Sequence, residues 1–157
     1  MEIRQYVKIL IESLEKKKRI LQALQEENKK QEEAIKKNDD IAEFDRIVEY
    51  KGKLIDEMQI LDNGFENVYK RIHEELVSEK VAYKEEIATM QTLIAEIMEL
   101  SVSLQATEQR NKQLVEGYFS YARGKIKQTK KSVRVASEYY KSMSRFNGND
   151  PWLDKKK

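Results

Sequence analysis

The 157-residue sequence has no cysteine, one proline, one histidine, one tryptophan and five glycines. Each shortage excludes something. Without cysteine there is no disulfide framework and no thiolate metal site. His73 opens a stretch, His73-Glu74-Glu75-Leu76-Val77, that begins like a zinc-protease helix, but no second histidine follows four residues on. A surface helix position is the expectation for it. No Gly-rich phosphate loop and no Ser/His pairing occur, so nucleophilic and metal catalysis have no candidates. Neither an enzyme nor a cofactor is expected. No stretch approaches the roughly 18 uninterrupted apolar residues of a membrane span. The run Ile9-Leu10-Ile11 is too short for a signal-peptide core, and a cytoplasmic protein is expected.

Charge is plentiful: 37% of residues are Asp, Glu, Lys or Arg, against 39% hydrophobic. Globular domains average about 25% charged residues. With few breakers, this composition predicts long helices exposing much surface, an all-α fold. The net charge of +2 conceals an asymmetry. Residues 110–157 carry 13 Lys/Arg against four acids, and residues 1–109 carry 17 against 24. An acidic body with a basic C-terminal third indicates that this end has its own task.

Apolar spacing defines the elements. Ile3, Val7, Leu10, Leu14, Lys17, Leu21, Leu24, Asn28, Gln31 and Ile35 alternate steps of four and three, the seam of a helix packed on partner helices. A first helix over about 2–37 follows, with Asp40 and Glu43 as the next N-cap and its capping-box partner. A second seam, Ile41, Phe44, Val48, Lys51, Ile55, Met58, Asp62, Phe65, Tyr69, Ile72 and Leu76, predicts a helix over about 40–77. Ile47, Leu54, Leu61 and Val68 flank it, so it buries a wide face. Gly52 and Gly64, costly within a helix, suggest a bend or a close helix crossing. Ser78 is the expected N-cap of a third helix. Its seam runs Tyr83, Ile87, Met90, Ile94, Ile97, Ser101, Leu104, Glu108, Asn111, Val115, then steps by four to Phe119 and continues to Met143. Two consecutive fours form a stutter, beside Gly117. Helix ends at Phe146-Asn147-Gly148, before Pro151. Polar seam residues (Lys17, Asn28, Gln31, Lys51, Asp62, Ser101 and Asn111) are expected to lie half wet in a slender bundle.

The expected architecture is an elongated antiparallel three-helix coiled-coil-like bundle with a long, overhanging C-terminal helix. Residues 1–114 form its body (helices about 2–37, 40–77 and 78–114), 115–146 an amphipathic partner-binding part, and 147–157 a flexible tail holding Trp152. Helix three exceeds its neighbours by roughly 28–30 residues, about 40–45 Å at 1.5 Å per residue. Such an overhang must fold back, pair with a second copy, or await a partner, because helices owe most of their stability to packing. Its apolar side carries Phe119, Ala122, Ile126, Val133, Tyr139, Tyr140, Met143 and Phe146 as candidate partner contacts. Arg123, Lys127, Lys130, Arg134, Lys141 and Arg145 form a basic rim that would steer an acidic partner. An acidic body repels nucleic acid, and the small residues of the stripe do not suit stable membrane insertion. Protein is therefore the expected partner. The competing reading is a structural coiled coil that homodimerises through this helix, so monomer and homodimer both stay open.

Some stretches outside the heptads carry a resemblance. They are Asp56-Glu57-Met58-Gln59-Ile60-Leu61-Asp62-Asn63-Gly64-Phe65-Glu66, Tyr83-Lys84-Glu85-Glu86-Ile87 leading to Met90-Gln91 and Leu93-Ile94, Glu108-Gln109-Arg110-Asn111, Tyr139-Tyr140 with Met143, and Leu153-Asp154-Lys155-Lys156-Lys157. With them, the whole chain resembles a flagellar type III export chaperone of the FlgN/FliT kind. The resemblance implies a cytoplasmic chaperone whose C-terminal helical region holds the disordered terminus of a late axial subunit. That subunit is a hook–filament junction protein in the FlgN branch and the filament cap in the FliT branch, and the chaperone hands it to the export gate. A C-terminal tyrosine faces the gate in FlgN-type members, and Tyr118, Tyr121, Tyr139 and Tyr140 compete for that role here.

Overall fold

Long amphipathic segments with few interior breakers fold as long helices, and the computed structural model of the chain holds four. It describes the backbone of residues 2–38, 41–121 and 126–148, and the side chains of 2–36, 41–120 and 131–144. Helix α1 spans Ile3–Glu33 and passes into a π turn at Ala34–Asn38; α2 spans Ile41–Ser78, α3 Lys84–Tyr121 and α4 Ile126–Gly148. No strand occurs among the described residues. The all-α bundle is as expected. Asp40, the expected N-cap of α2, lies outside the described residues.

The heptad seams become the core. Val7, Leu10, Leu14, Leu21 and Leu24 of α1 are buried against Phe44, Val48, Ile55 and Met58 of α2 and Met90, Ile97 and Leu104 of α3. Helix α1 packs on both α2 and α3. At about 25 cal/mol per Å² of apolar surface removed from water, this seam is the main stabiliser of the fold. A stretch of α3 is apolar enough, by length and composition, to cross a membrane, with mean hydropathy 1.3. Its Met90, Ile97 and Leu104 lie in the core, while 17% of that stretch is buried in all.

The second turn sits later than expected. Ser78 is not the N-cap of a third helix but the last residue of α2, and its hydroxyl donates to the Glu75 carbonyl at 3.1 Å. A turn through residues 79–83 follows, and Glu85 and Glu86 occupy the first turn of α3. Acids there suit the positive end of the helix dipole, and they were the better signal. Neither Gly52 nor Gly64 marks a close crossing within the chain, since a Cβ at either would meet nothing within 4 Å.

The largest difference is at the C-terminal end. The seam continued through Ala122 and Ile126 as one helix in the sequence reading, yet α3 stops at Tyr121 and α4 starts at Ile126. No overhang projects over the described residues: α4 returns alongside the body and packs chiefly on α2. The sequence between the two helices, Ala122-Arg123-Gly124-Lys125, includes a glycine, which costs about 1 kcal/mol relative to Ala inside a helix. Folding back buries Ala136, Tyr139 and Met143. Of the three fates open to an overhang, the chain adopts the first.

Candidate functional site

Two features meet where α4 joins the body. The first is a polar layer to which all four helices contribute. Lys51 of α2 is fully buried, 0% exposed. Its Nζ lies 2.8 Å from Glu108 Oε1 of α3 and donates to Gln31 Oε1 of α1 at 2.7 Å. Helix α4 closes the layer with two tyrosines. The Tyr139 hydroxyl donates to Glu108 Oε1 at 3.0 Å, and Gln31 Nε2 donates to the Tyr140 hydroxyl at 3.0 Å. The Lys51 ammonium also lies 4.4 Å from the centroid of the Tyr139 ring, a cation–π contact. One turn along, Asn111 donates to the Asn28 carbonyl at 3.1 Å.

The sequence reading placed the polar seam residues half in water, and the structure corrects this. Lys17, Asn28, Gln31, Lys51, Asp62 and Asn111 are all buried, and Ser101 alone stays partly exposed. Complementarity explains the charged ones, because buried charges persist when paired, whereas the buried Asn28 side-chain amide has no hydrogen-bond partner among the described residues. Lys17 of α1 meets Asp62 of α2 at 2.9 Å, as Lys51 meets Glu108. Each charged seam position had its partner on another helix, invisible to a reading of one helix at a time.

The two tyrosines of the layer titrate only at high pH. Burial and the neighbouring Glu108 charge push the Tyr139 hydroxyl well above the ordinary phenol range, and burial does the same to Tyr140. Burial pulls Lys51 below the ordinary lysine value, with Glu108 opposing. The unfolded chain loses phenol protons from about pH 10 while the folded chain keeps them. Their stabilisation is thus complete below pH 10 and is lost as pH climbs toward the folded values. The depressed lysine works with the opposite sign, adding stability as pH rises between its folded value and about 10.4. The lysine's contribution is complete by about pH 10.4, while the tyrosines' is lost at still higher pH, so the thermal midpoint is expected to fall above that value. Tyr139→Phe, which keeps the ring and removes the titrating hydroxyl, should flatten that fall in a series of melts. An equal fall in the variant would exclude the layer as its origin.

The second feature is a groove. On the side where α4 faces α3 the two helices are only loosely packed, leaving a cavity of about 410 Å³. Val115 and Phe119 of α3 and Val133, Ala136 and Tyr140 of α4 form its apolar lining, and Lys112, Glu116 and Lys141 stand among the polar residues at its rim. Phe119 is held from behind by Phe44 of α2, edge to face at 5.9 Å between centroids. Val133 is 42% exposed, a β-branched apolar side chain left in water.

Three of the expected contact residues, Phe119, Val133 and Tyr140, therefore share one groove, with Ala136 between them and Lys141 of the basic rim beside them. Tyr139 and Met143 do not line it; both are buried on the body. The α4 seam runs Ser132, Ala136, Tyr139, Met143, so Val133 and Tyr140, on the expected seam, lie one residue round from the face that is buried. Arg134 is exposed. The side chains of Ala122, Arg123, Ile126, Lys127, Lys130, Arg145 and Phe146 lie outside the described residues. Val115 was read as seam alone, and Lys112 and Glu116 were not singled out. Their one-turn spacing below Phe119 was the available signal. His73 is exposed, with its ring 5.0 Å from that of Tyr69. No group of three or more metal-ligating side chains occurs among the described residues.

These features define a class: an elongated helical bundle presenting an apolar groove with charged edges. The chain also matches the family model for FlgN protein over residues 1–142, and it belongs to that family. FlgN proteins are flagellar export chaperones rather than enzymes, and their partners are proteins of flagellar export. Neither the curated proteins nor the solved structures contain a match to the chain.

Proposed function

We infer that the chain is a cytoplasmic export chaperone that holds the disordered terminus of a late axial subunit, a hook–filament junction protein, and delivers it to the export gate. The observation that carries this reading is the α3–α4 groove within a FlgN-family chain. Its apolar floor fits side chains of an amphipathic segment that would otherwise assemble or aggregate. Burial of that segment releases about 25 cal/mol per Å² of apolar area, less the cost of ordering it. Of the tyrosines considered for the export gate, Tyr139 is buried and Tyr140 is engaged with Gln31. Tyr118, half-buried beside Phe119, is the better-placed described candidate.

Self-pairing through the C-terminal helix is less favoured, since it would draw Ala136, Tyr139 and Met143 off their own body.

Calorimetric titration with C-terminal segments of junction and cap proteins tests the reading. A junction segment should bind one to one, and a cap segment should bind weakly or not at all. Val133→Glu is expected to weaken binding at least about tenfold, because it places a charge in an apolar groove. Its melting temperature should stay within a few degrees, as Val133 is largely exposed. Failure of every axial segment to bind would remove the client assignment. Unchanged binding by the variant would remove the groove.

A further inference from the structure

The far side of the molecule, where α1 and α2 turn away from both α3 and α4, carries a second groove of about 420 Å³. Ile20 and Ala23 of α1 and Leu54, Ile60 and Leu61 of α2 form its apolar floor. Ile60 is 72% exposed. One turn beyond it is Gly64, where a Cβ would meet nothing within 4 Å. A mid-helix glycine costs about 1 kcal/mol relative to Ala, and no packing inside the chain requires one here. A bare backbone beside an exposed isoleucine is what a closely approaching helix uses.

Charge indicates which helix that is. Lys16 and Arg19 edge the groove on α1, and Glu57 edges it on α2. The contacts Lys17–Asp62 and Lys51–Gln31 set the antiparallel register of the two helices, which puts Arg19 about one turn (~5–6 Å) along the axis from the level of Glu57. A two-fold axis parallel to the helices preserves levels and lays α1 of one copy over α2 of the other. Arg19 then stands about one turn (~5–6 Å) along the axis from the second copy's Glu57, within the reach of its long side chain, and the second copy's Arg19 stands likewise to Glu57, the self-complementarity an isologous interface requires.

We propose that the α1–α2 groove is a homodimer interface, occupied by the same groove of a second copy of this chain. It is separate from the α3–α4 groove and does not depend on the client reading. The stretch Asp56–Glu66, distinctive in the sequence, divides between the two sides of α2. Asp62 and Phe65 are buried, whereas Glu57, Ile60 and Gly64 are available to the partner.

Light scattering and sedimentation equilibrium of the full chain, over a wide concentration range and without client, should give a dimer. Ile60→Asp is expected to raise its Kd at least about 30-fold, as for a buried apolar anchor, with an unchanged circular dichroism spectrum. Gly64→Gln should also weaken the dimer while keeping or raising the monomer's thermal midpoint, because the helix gains propensity. A purely structural role for Gly64 would not separate those two readouts. Arg19→Glu and Glu57→Arg should each weaken association, and together restore it. A monomer at all concentrations overturns the proposal and leaves the groove to a foreign helix. A dimer indifferent to Ile60→Asp and Gly64→Gln overturns it equally.

Discussion

Lys51→Met is expected to destabilise the chain by about 3–5 kcal/mol, the usual result of removing one partner from a buried ion pair. The cost arises from what is left behind. Glu108, 4% exposed, is left with no cation beside it, and Gln31 loses the ammonium that donates to its carbonyl oxygen. For a chain of this length the loss corresponds to a fall of about 6–20 °C in melting temperature. The damage should concentrate on α4, which enters the layer through Tyr139 and Tyr140, and hydrogen exchange should show its amides losing protection first. The double variant Lys51→Met/Glu108→Leu should regain most of the stability, because apolar replacement of both partners is often neutral or better. Urea titrations of the two single variants and the double variant complete the cycle. A single variant within about 1 kcal/mol of the parent would show that the layer is wet.

Phe44→Ala should cost a similar amount by another route. Phe44 is 1% exposed, in the first turns of α2, with its ring against the edge or face of Phe119. Truncation of a buried phenylalanine loses its transfer free energy and leaves a cavity, about 3–5 kcal/mol in all. The effect reaches the groove, because Phe119 is held there by that ring. We expect client affinity to fall together with stability in Phe44→Ala, whereas Val133→Glu lowers affinity alone. Chemical denaturation with parallel calorimetry separates them. A Phe44→Ala chain with full affinity would mean that Phe119 is positioned by its own helix.

Much of this was readable from spacing. The steps of four and three in α1 run through Val7, Leu10, Leu14, Leu21 and Leu24, and every one is buried. A seam is a local periodic property, so one helix suffices to reveal it. What could not be read is relational. Lys51 looks like a flaw in its seam until Glu108, 57 positions later, is brought to 2.8 Å. The return of α4 was likewise hidden, because the heptad spacing from Val115 to Met143 suits one continuous helix as well as two. Gly124 was a sequence signal against one continuous helix, and composition alone does not weigh it against burial of Tyr139. The groove residues fared between these cases. Apolar identity marked Phe119, Val133 and Tyr140, while the register of α4 moved Tyr139 inward.

The order in which the chain is made bears on the layer at Lys51. Contacts within the α1–α2 hairpin become possible once residues up to Ser78 exist, and loops closing such a pair cost little more when modestly lengthened. Gln31 and Tyr140, by contrast, are separated by 109 positions. During synthesis Lys51 therefore sits beside Gln31 with neither Glu108 nor the two tyrosines yet available, solvated rather than enclosed. The layer at Lys51 is sealed by a helix made long after the hairpin that holds it, so a chain that ends before Tyr139 should collapse around an open, hydrated centre.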